Sequence, residues 1–262
     1  MSYTYLTTEK SGAVTTLTFN RPDKRNAFDD VLIAEIADAF GQIAVDDSTR
    51  AVVIAGAGKS FSAGADLEWM GRMAGYSQEE NLADAARAQA MFEAVANCPK
   101  VTIAAIHGAA LGGGAGIAAC VDVAITVTGA LFAFSEVRLG IAPAIIAPYV
   151  VRKIGLGHAR ALFVTGRRFD SIEALRIGLV HQVVDNRDKL DEAVQLVIED
   201  VLQSGPTAIA SIKQLLRDLD GDAAVDEARK LTTKLIAELR VSTEGQEGLN
   251  AFLAKRKPNF AN

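Results

Sequence analysis

The chain has 262 residues, half of them hydrophobic, which bounds it to one large domain or a domain with a helical appendix. Its 27 basic and 32 acidic residues leave a net charge of −5, which argues against a dedicated nucleic-acid binder. The two cysteines, Cys98 and Cys120, make no disulfide framework, and the composition reads as that of a cytoplasmic protein.

Residues 1–10 carry neither an apolar run nor a leading positive cluster, so no signal peptide is expected. Residues 3–9 and 13–19 alternate polar and apolar around Ser11–Gly12, the pattern of a β-hairpin. Residues 21–26 form a polar loop. A helix is expected from near Asp29, because Leu32, Ile36, Phe40 and Ile43 recur at helical spacing and make one apolar face. Ala51–Val52–Val53–Ile54 is a short apolar run, the mark of a buried strand, and it leads into a glycine- and serine-containing loop at 56–64. Asp66 is placed to start a short helix, and residues 78–97 a longer one that stops before Pro99. Residues 101–106 read as the next buried strand, 114–120 as a helix and 121–127 as a further strand.

No charged residue occurs between 101 and 121, a length that raises the question of a membrane span. The segment contains His107 and Gly112–Gly113–Gly114, and glycine is about 1 kcal/mol worse than alanine inside a helix. A strand, a tight loop and a buried helix account for it better, and no membrane association is expected.

The strands alternate with helical stretches and are apolar on both faces, which predicts an α/β domain with a covered sheet over residues 1–185. From 186 to 262 the pattern is helical and rich in charge, with helices expected at 188–203, 206–219, 222–239 and 243–255. Ser204–Gly205–Pro206 and Asp220–Gly221–Asp222 are the breaks. This helical region is expected to cap the core or to pack on a neighbour.

Several familiar motifs fail. Ala57–Gly58–Lys59–Ser60 matches the end of a phosphate-binding P-loop, but the template's first glycine falls on Val53. A dinucleotide fingerprint through Gly112 and Gly114 requires a glycine where Ile117 stands. His107, His158 and His181 are widely spaced without partner cysteines, so no metal site is expected. No serine sits in a Gly-x-Ser-x-Gly elbow.

Two loops remain, each after a buried strand: Ser60–Phe61–Ser62–Ala63–Gly64–Ala65–Asp66–Leu67 and His107–Gly108–Ala109–Ala110–Leu111–Gly112–Gly113–Gly114. Small residues let a backbone approach a ligand closely. Both loops lead into expected helix starts, where unpaired N–H groups and the helix dipole favour negative charge. Such a pair could form an oxyanion hole from main-chain donors alone; tight packing is the alternative account of the glycines.

At these residues the chain resembles the enoyl-CoA hydratase/isomerase (crotonase) superfamily. Ser62–Ala63–Gly64–Ala65–Asp66, residues 108–114 and Cys120–Val121–Asp122 look like that family's motifs in their order. The similarity runs from Asn20–Arg21–Pro22 and Asn26–Ala27 to Phe252–Leu253–Ala254–Lys255–Arg256. It implies a spiral of ββα units with a helical C-terminal region that mediates trimerisation. It also implies an acyl-CoA thioester as substrate, no cofactor beyond the coenzyme A that the substrate carries, and a homotrimer or dimer of trimers. The resemblance places the oxyanion-hole donors at the N–H groups of Ala65 and Gly113. It brackets the adenine and pantetheine with main-chain groups of Ala63, Asp66 and Leu67, counts Ala27, Leu111 and Gly112 among the substrate- and CoA-binding residues, and sets Lys24 and Arg25 near the CoA phosphates. Phe252 and Lys255 are expected to reach CoA, from a neighbouring subunit in an oligomer.

The best-known hydratases of that family use two glutamates around one water. By position the second falls on Glu136, whereas the first falls on Gly116. Glu136 follows an apolar segment, so partial burial should raise its pKa toward the range of a general acid/base. A structural ion pair with Arg138 is the competing account. The stretch from Glu136 to Arg152, with Ile145–Ile146–Ala147–Pro148–Tyr149, looks like the methylglutaconyl-CoA and carboxygeranoyl-CoA hydratase branch, where one glutamate acts. Hydration of a 2-enoyl-CoA to a 3-hydroxyacyl-CoA is the leading expectation. A Δ3-Δ2 enoyl-CoA isomerase and a catalytically silent CoA-binding homologue are the alternatives. Asp122 is expected to be structural, and Arg72 and Arg87 are candidates to meet a distal carboxylate on the substrate.

Overall fold

A computed structural model describes residues 3–219 and 225–261 of the chain. The chain opens with the expected hairpin, β1 (Leu6–Ser11) antiparallel to β2 (Val14–Phe19), turned at Gly12 with φ +55. The alternation in β2 buries Leu17 and Phe19 on one face. Helix α1 (Asp30–Ala44) starts where expected, because the Asp29 carboxylate accepts the Leu32 N–H at 2.9 Å. Its apolar stripe of Leu32, Ile36, Phe40 and Ile43 is buried.

Next come β3 (Ala51–Gly56), α2 (Leu67–Met73), α3 (Gln78–Ala96) and β4 (Val101–Ile106). The capping box of Ser77 and Glu80 begins α3. Then follow β5 (Ala109–Leu111), α4 (Gly113–Cys120), β6 (Val123–Val127) and β7 (Leu131–Ala133). Helix α5 (Ala147–Thr165) is two helices joined at Gly155, whose φ of 76 and ψ of 154 are non-helical. After it lie β8 (Arg168–Asp170), α6 (Ser171–Arg176) and β9 (Gln182–Val184).

The main sheet has the order β1-β2-β3-β4-β6-β9, parallel from β2 onward. All six side chains of β4 are buried, as a sheet covered on both faces requires. A second layer, β5-β7-β8, is extended by two isolated parallel bridges, Ser62 to Ala110 and Phe28 to Ala65. The path therefore repeats: a strand in the main sheet, a short extended piece in the second layer, then a helix. It runs β2–Phe28–α1, β3–Ser62/Ala65–α2, β4–β5–α4 and β6–β7–α5. This is the expected spiral of ββα units. The uncharged segment 101–121 becomes β4, β5 and α4, and among the described residues no helix is long and apolar enough to cross a membrane.

The C-terminal helices are α7 (Arg187–Leu202), α8 (Pro206–Asp218), α9 (Val225–Val241) and α10 (Thr243–Leu253). The expected break at Asp220–Gly221–Asp222 and the expected helix start at Asp222 lie outside the described residues, as do Met1 and Ser2 at the N-terminus. The 185/186 boundary expected from composition assigns α7 to the appendix. In the fold, α7 buries Leu190, Val194 and Ile198 in the same core as the sheet, because its apolar stripe faces β6 and β4. Helix α8 buries no residue fully and meets the core through the half-buried Ile209.

Candidate active site

The first loop is fixed by Arg21. Its guanidinium lies 3.1 Å from Asp29 and 3.2 Å from Asp66, donates to the Ala27 carbonyl at 2.6 Å, and sits over the Tyr5 ring at 4.3 Å. Asn26 is fully buried and donates to the Ala57 and Ser60 carbonyls, both at 2.8 Å. These contacts hold residues 21–29 against the loop that carries Ala65.

The Ala65 N–H is freed by strand geometry. In the Phe28–Ala65 bridge, Phe28 donates to the Gly64 carbonyl (2.7 Å) and accepts from the Asp66 N–H (2.8 Å). A parallel bridge of this kind turns the central residue's own N–H to the other side. Gly113 is freed by helix geometry: it is the first residue of α4, whose N-cap, Gly112, supplies no side chain. Among the described residues, neither the Ala65 nor the Gly113 N–H has an acceptor. The two loops touch at their glycines, since a Cβ built on Gly112 would stand 3.8 Å from the Gly64 Cα.

Glu136 reaches this junction from a 3-10 turn, Glu136–Leu139, that follows β7. Its Oε1 would lie 3.2 Å from a Cβ on Gly112, whose φ of 49 also favours glycine. Its Oε2 is buried without a partner. Burial pushes the carboxyl above its ordinary range, and a bond from its own N–H offsets part of that rise. No charged neighbour contributes, so the ion pair with Arg138 does not form.

Ala65, Gly113 and Glu136 line one cavity of about 250 Å³, together with Phe28, Phe92 and Ile146. The first-glutamate position is closed. A Cβ on Gly116 would lie 2.5 Å from Ile146 Cγ2 and 3.0 Å from Phe92 Cε1. A larger cavity of about 520 Å³, bordered by Cys120, Asp122, Lys153 and Lys213, includes none of the expected site residues. Its Asp122 accepts from the Thr102 N–H at 2.7 Å and pairs with Lys213, a structural role as expected.

The remaining expected residues divide. Leu67 is 81% exposed beside Ala65, and Ala63 is half-buried with its N–H given to the Arg25 carbonyl at 2.9 Å. Ala27 is buried under the loop, and the Leu111 N–H bonds the Ser62 carbonyl at 3.0 Å. Lys24 pairs with Glu68 at 2.6 Å on the surface, and Arg25 is exposed. Asp66 departs from the main-chain contact expected of it. Its N–H bonds Phe28, its carbonyl accepts from Met70, and its carboxylate caps α2 through Glu68 and Trp69, so Asp66 holds the loop together. Phe252 and Lys255, on and after α10, do not line the cavity of their own chain.

Sequence reasoning missed Arg21 as the loop's anchor, and Trp69, Asn81 and Asp84 as cavity residues. Local sequence carries no signal for the first, since Arg21 meets Asp29 and Asp66 only in the fold. The others come from two helices whose mutual placement no local pattern encodes. Of the histidines, His107 Nε2 lies 3.1 Å from the Gly58 carbonyl and His181 Nδ1 accepts the Ala124 N–H at 2.9 Å. Among the described residues, no group of three His, Cys, Asp or Glu could hold a metal ion.

The geometry agrees with what the chain is similar to. The sequence model for enoyl-CoA hydratase/isomerase matches residues 9–262. A crotonyl-CoA hydratase from Syntrophomonas wolfei is 33% identical over 99% of both chains. A short-chain-enoyl-CoA hydratase from Clostridium acetobutylicum is 33% identical over 95% of this chain and 94% of its own. Among solved structures, an enoyl-CoA hydratase from Shewanella pealeana superposes with a TM-score of 0.95 at 40% identity, covering 98% of this chain and 96% of its own. Pseudomonas aeruginosa AtuE does so with a TM-score of 0.95 at 36% identity, covering 99% of this chain and all of its own. With its spiral of ββα units and its two facing loops, the chain belongs to the enoyl-CoA hydratase/isomerase family.

Proposed function

We propose that the protein hydrates a 2-enoyl-CoA to a 3-hydroxyacyl-CoA, with the Ala65 and Gly113 N–H groups as oxyanion hole and Glu136 as acid and base. The observation that carries this reading is the meeting, in a single cavity, of two unpaired N–H groups and one half-buried carboxylate whose Oε2 is buried without a partner. The names of the hydratases to which the chain is similar support the same reaction.

The thioester oxygen lies between the two N–H groups, which draw electron density toward it and make C3 electrophilic. Glu136 takes a proton from water as the water oxygen bonds C3, and the charge passes to the thioester oxygen as an enolate. The same carboxyl then gives its proton to C2, so hydroxyl and hydrogen enter and no other reactant is needed. Burial suits Glu136 to both steps, because a raised pKa brings base and acid forms close in energy. CoA supplies binding as part of the substrate. Lys24 and Arg25 are the proposed contacts to its phosphates, with the carbonyl of Ala63 and the N–H of Leu67 beside it. Phe252, 81% exposed, and Lys255 are proposed to reach CoA across a trimer contact made by α8 to α10.

Purified protein should add water to crotonyl-CoA, followed as loss of the enoyl-thioester absorbance. Glu136→Gln should lower kcat by about 10²–10⁴ while KM changes little. Equal rates in both proteins would remove Glu136 from the chemistry.

The closed space at Gly116 favours one second reading. A single carboxylate can carry a proton between C2 and C4, so the second reading takes a 3-enoyl-CoA as the substrate of the same site. Conversion to the conjugated 2-enoyl-CoA without net hydration would establish isomerisation as the main activity.

A further inference from the structure

The cavity changes character along its length. On α3, Phe92 borders the oxyanion-hole end, 3.6 Å from a Cβ on Gly113. Ala88 and Ala85 line it farther along, and Asp84 lies about 12 Å up the helix axis from Phe92, at 1.5 Å of rise per residue. There Trp69, Asn81 and Asp84 replace the apolar wall. Trp69 is 8% exposed and Asp84 5%, and the Trp69 indole N–H is buried without an acceptor. Buried donors without partners are rare in folded proteins and call for an explanation.

The charged side chain lining this end is a carboxylate. Asp84 is held by Arg87 at 2.8 Å, and the Arg87 side chain is 55% exposed and outside the cavity. Arg72, the other cation considered for a distal carboxylate, pairs with Asp30 on the surface. Among the described residues, no Lys, Arg or His lines the cavity.

The geometry points to a substrate whose acyl chain is of medium length and ends in a neutral group that both donates and accepts a hydrogen bond, foremost a hydroxyl. That oxygen accepts from Trp69 Nε1 and its proton goes to the Asp84 carboxylate. A terminal carboxylate would meet the Asp84 carboxylate with no cation lining the cavity to receive it, and a terminal methyl leaves the indole donor unpaired. The inference rests on the hydratase reading above and names the substrate class of that same site.

The test compares kcat/KM of the full chain on crotonyl-CoA, 2-decenoyl-CoA, and the ω-hydroxy and ω-carboxy forms of 2-decenoyl-CoA. The ω-hydroxy form should exceed the other two decenoyl substrates by about tenfold, the worth of one buried hydrogen bond. Trp69→Phe keeps the ring and removes the donor. It should lower the ω-hydroxy value about tenfold and so remove its margin over 2-decenoyl-CoA. Asp84→Asn should raise turnover of the ω-carboxy form, a readout independent of how well Trp69→Phe folds. A wild-type preference for the methyl or carboxylate terminus overturns the inference. So does an equal loss on both chains in Trp69→Phe, or no change of charge preference in Asp84→Asn. Crotonyl-CoA separates the two levels. If no enoyl-CoA is hydrated, the hydratase reading fails; if crotonyl-CoA is hydrated without a hydroxyl preference, only the substrate class fails.

Discussion

Ile146 fills the space above Gly116: its Cγ2 lies 2.5 Å from where a Cβ on residue 116 would be. A carboxylate cannot extend from position 116 without moving that side chain. The contact reverses an ordinary rule, because Gly→Ala inside a helix usually stabilises by up to about 1 kcal/mol. Gly116→Ala should instead destabilise by about 1–3 kcal/mol, the usual cost of overpacking. In an Ile146→Ala background the same substitution should cost less, with Phe92 Cε1 at 3.0 Å and the Cβ of residue 146 at 3.2 Å still close. Chemical denaturation of the two single variants and the double variant checks this, and simple additivity would show that the contact carries no energy.

Gly112 combines a φ of 49 with the nearby Glu136 carboxylate. Gly112→Ala should cost about 1–3 kcal/mol through backbone strain. It should also lower hydration at least about tenfold, because the new methyl displaces Glu136 or tilts the Gly113 N–H. Retained activity with reduced stability would mean that neither group moved.

Asp66 caps α2 and shares Arg21 with Asp29. Burial alone would raise its pKa, but bonds from the Trp69 and Glu68 N–H groups and the Arg21 charge together hold it below the ordinary range. Its stabilisation is therefore present above the unfolded carboxyl pKa and is lost as pH falls through the lower folded value. Asp66→Ala should cost about 2–4 kcal/mol at neutral pH, from the lost cap and the weakened buried pair. The deficit should shrink on acidification. Melting curves of both proteins against pH measure it, and a constant deficit would assign the loss to packing.

Glu136 has the opposite sign. Its folded pKa is raised, so the folded state holds a proton that the unfolded chain has released. Between the unfolded value of about 4.3 and the raised folded value, wild-type stability falls as pH rises. Glu136→Gln lacks that loss. The variant should gain on wild type through this window and keep its advantage above it, while its activity is low. Parallel melting curves that keep a constant gap would place Glu136 in contact with water.

The main outlines of this fold are legible in the sequence because buried parallel strands and capped helices carry local signals. Asp29, Asp66 and Ser77 mark helix starts, and Ala51–Ile54 marks a strand. The second layer is not legible, since β5, β7 and β8 have three residues each and the Phe28–Ala65 bridge has one pair. Helix α5 is masked by the break at Gly155. At the candidate site, the two small-residue loops and Glu136 stand out by residue type. The plug at Ile146 and the polar far end at Trp69 and Asp84 do not, because they depend on how α2, α3 and the 141–146 segment are set against one another.

The two proposed oxygen-binding groups are amides, and an amide does not titrate anywhere in the range where the protein folds. The site thus divides into a part indifferent to proton concentration and a part that responds to it alone. A pair of carboxylates would give a bell-shaped profile of rate against pH. One carboxyl working beside two amides should give a single rising limb and then a plateau, so the curve itself counts the ionising groups that take part.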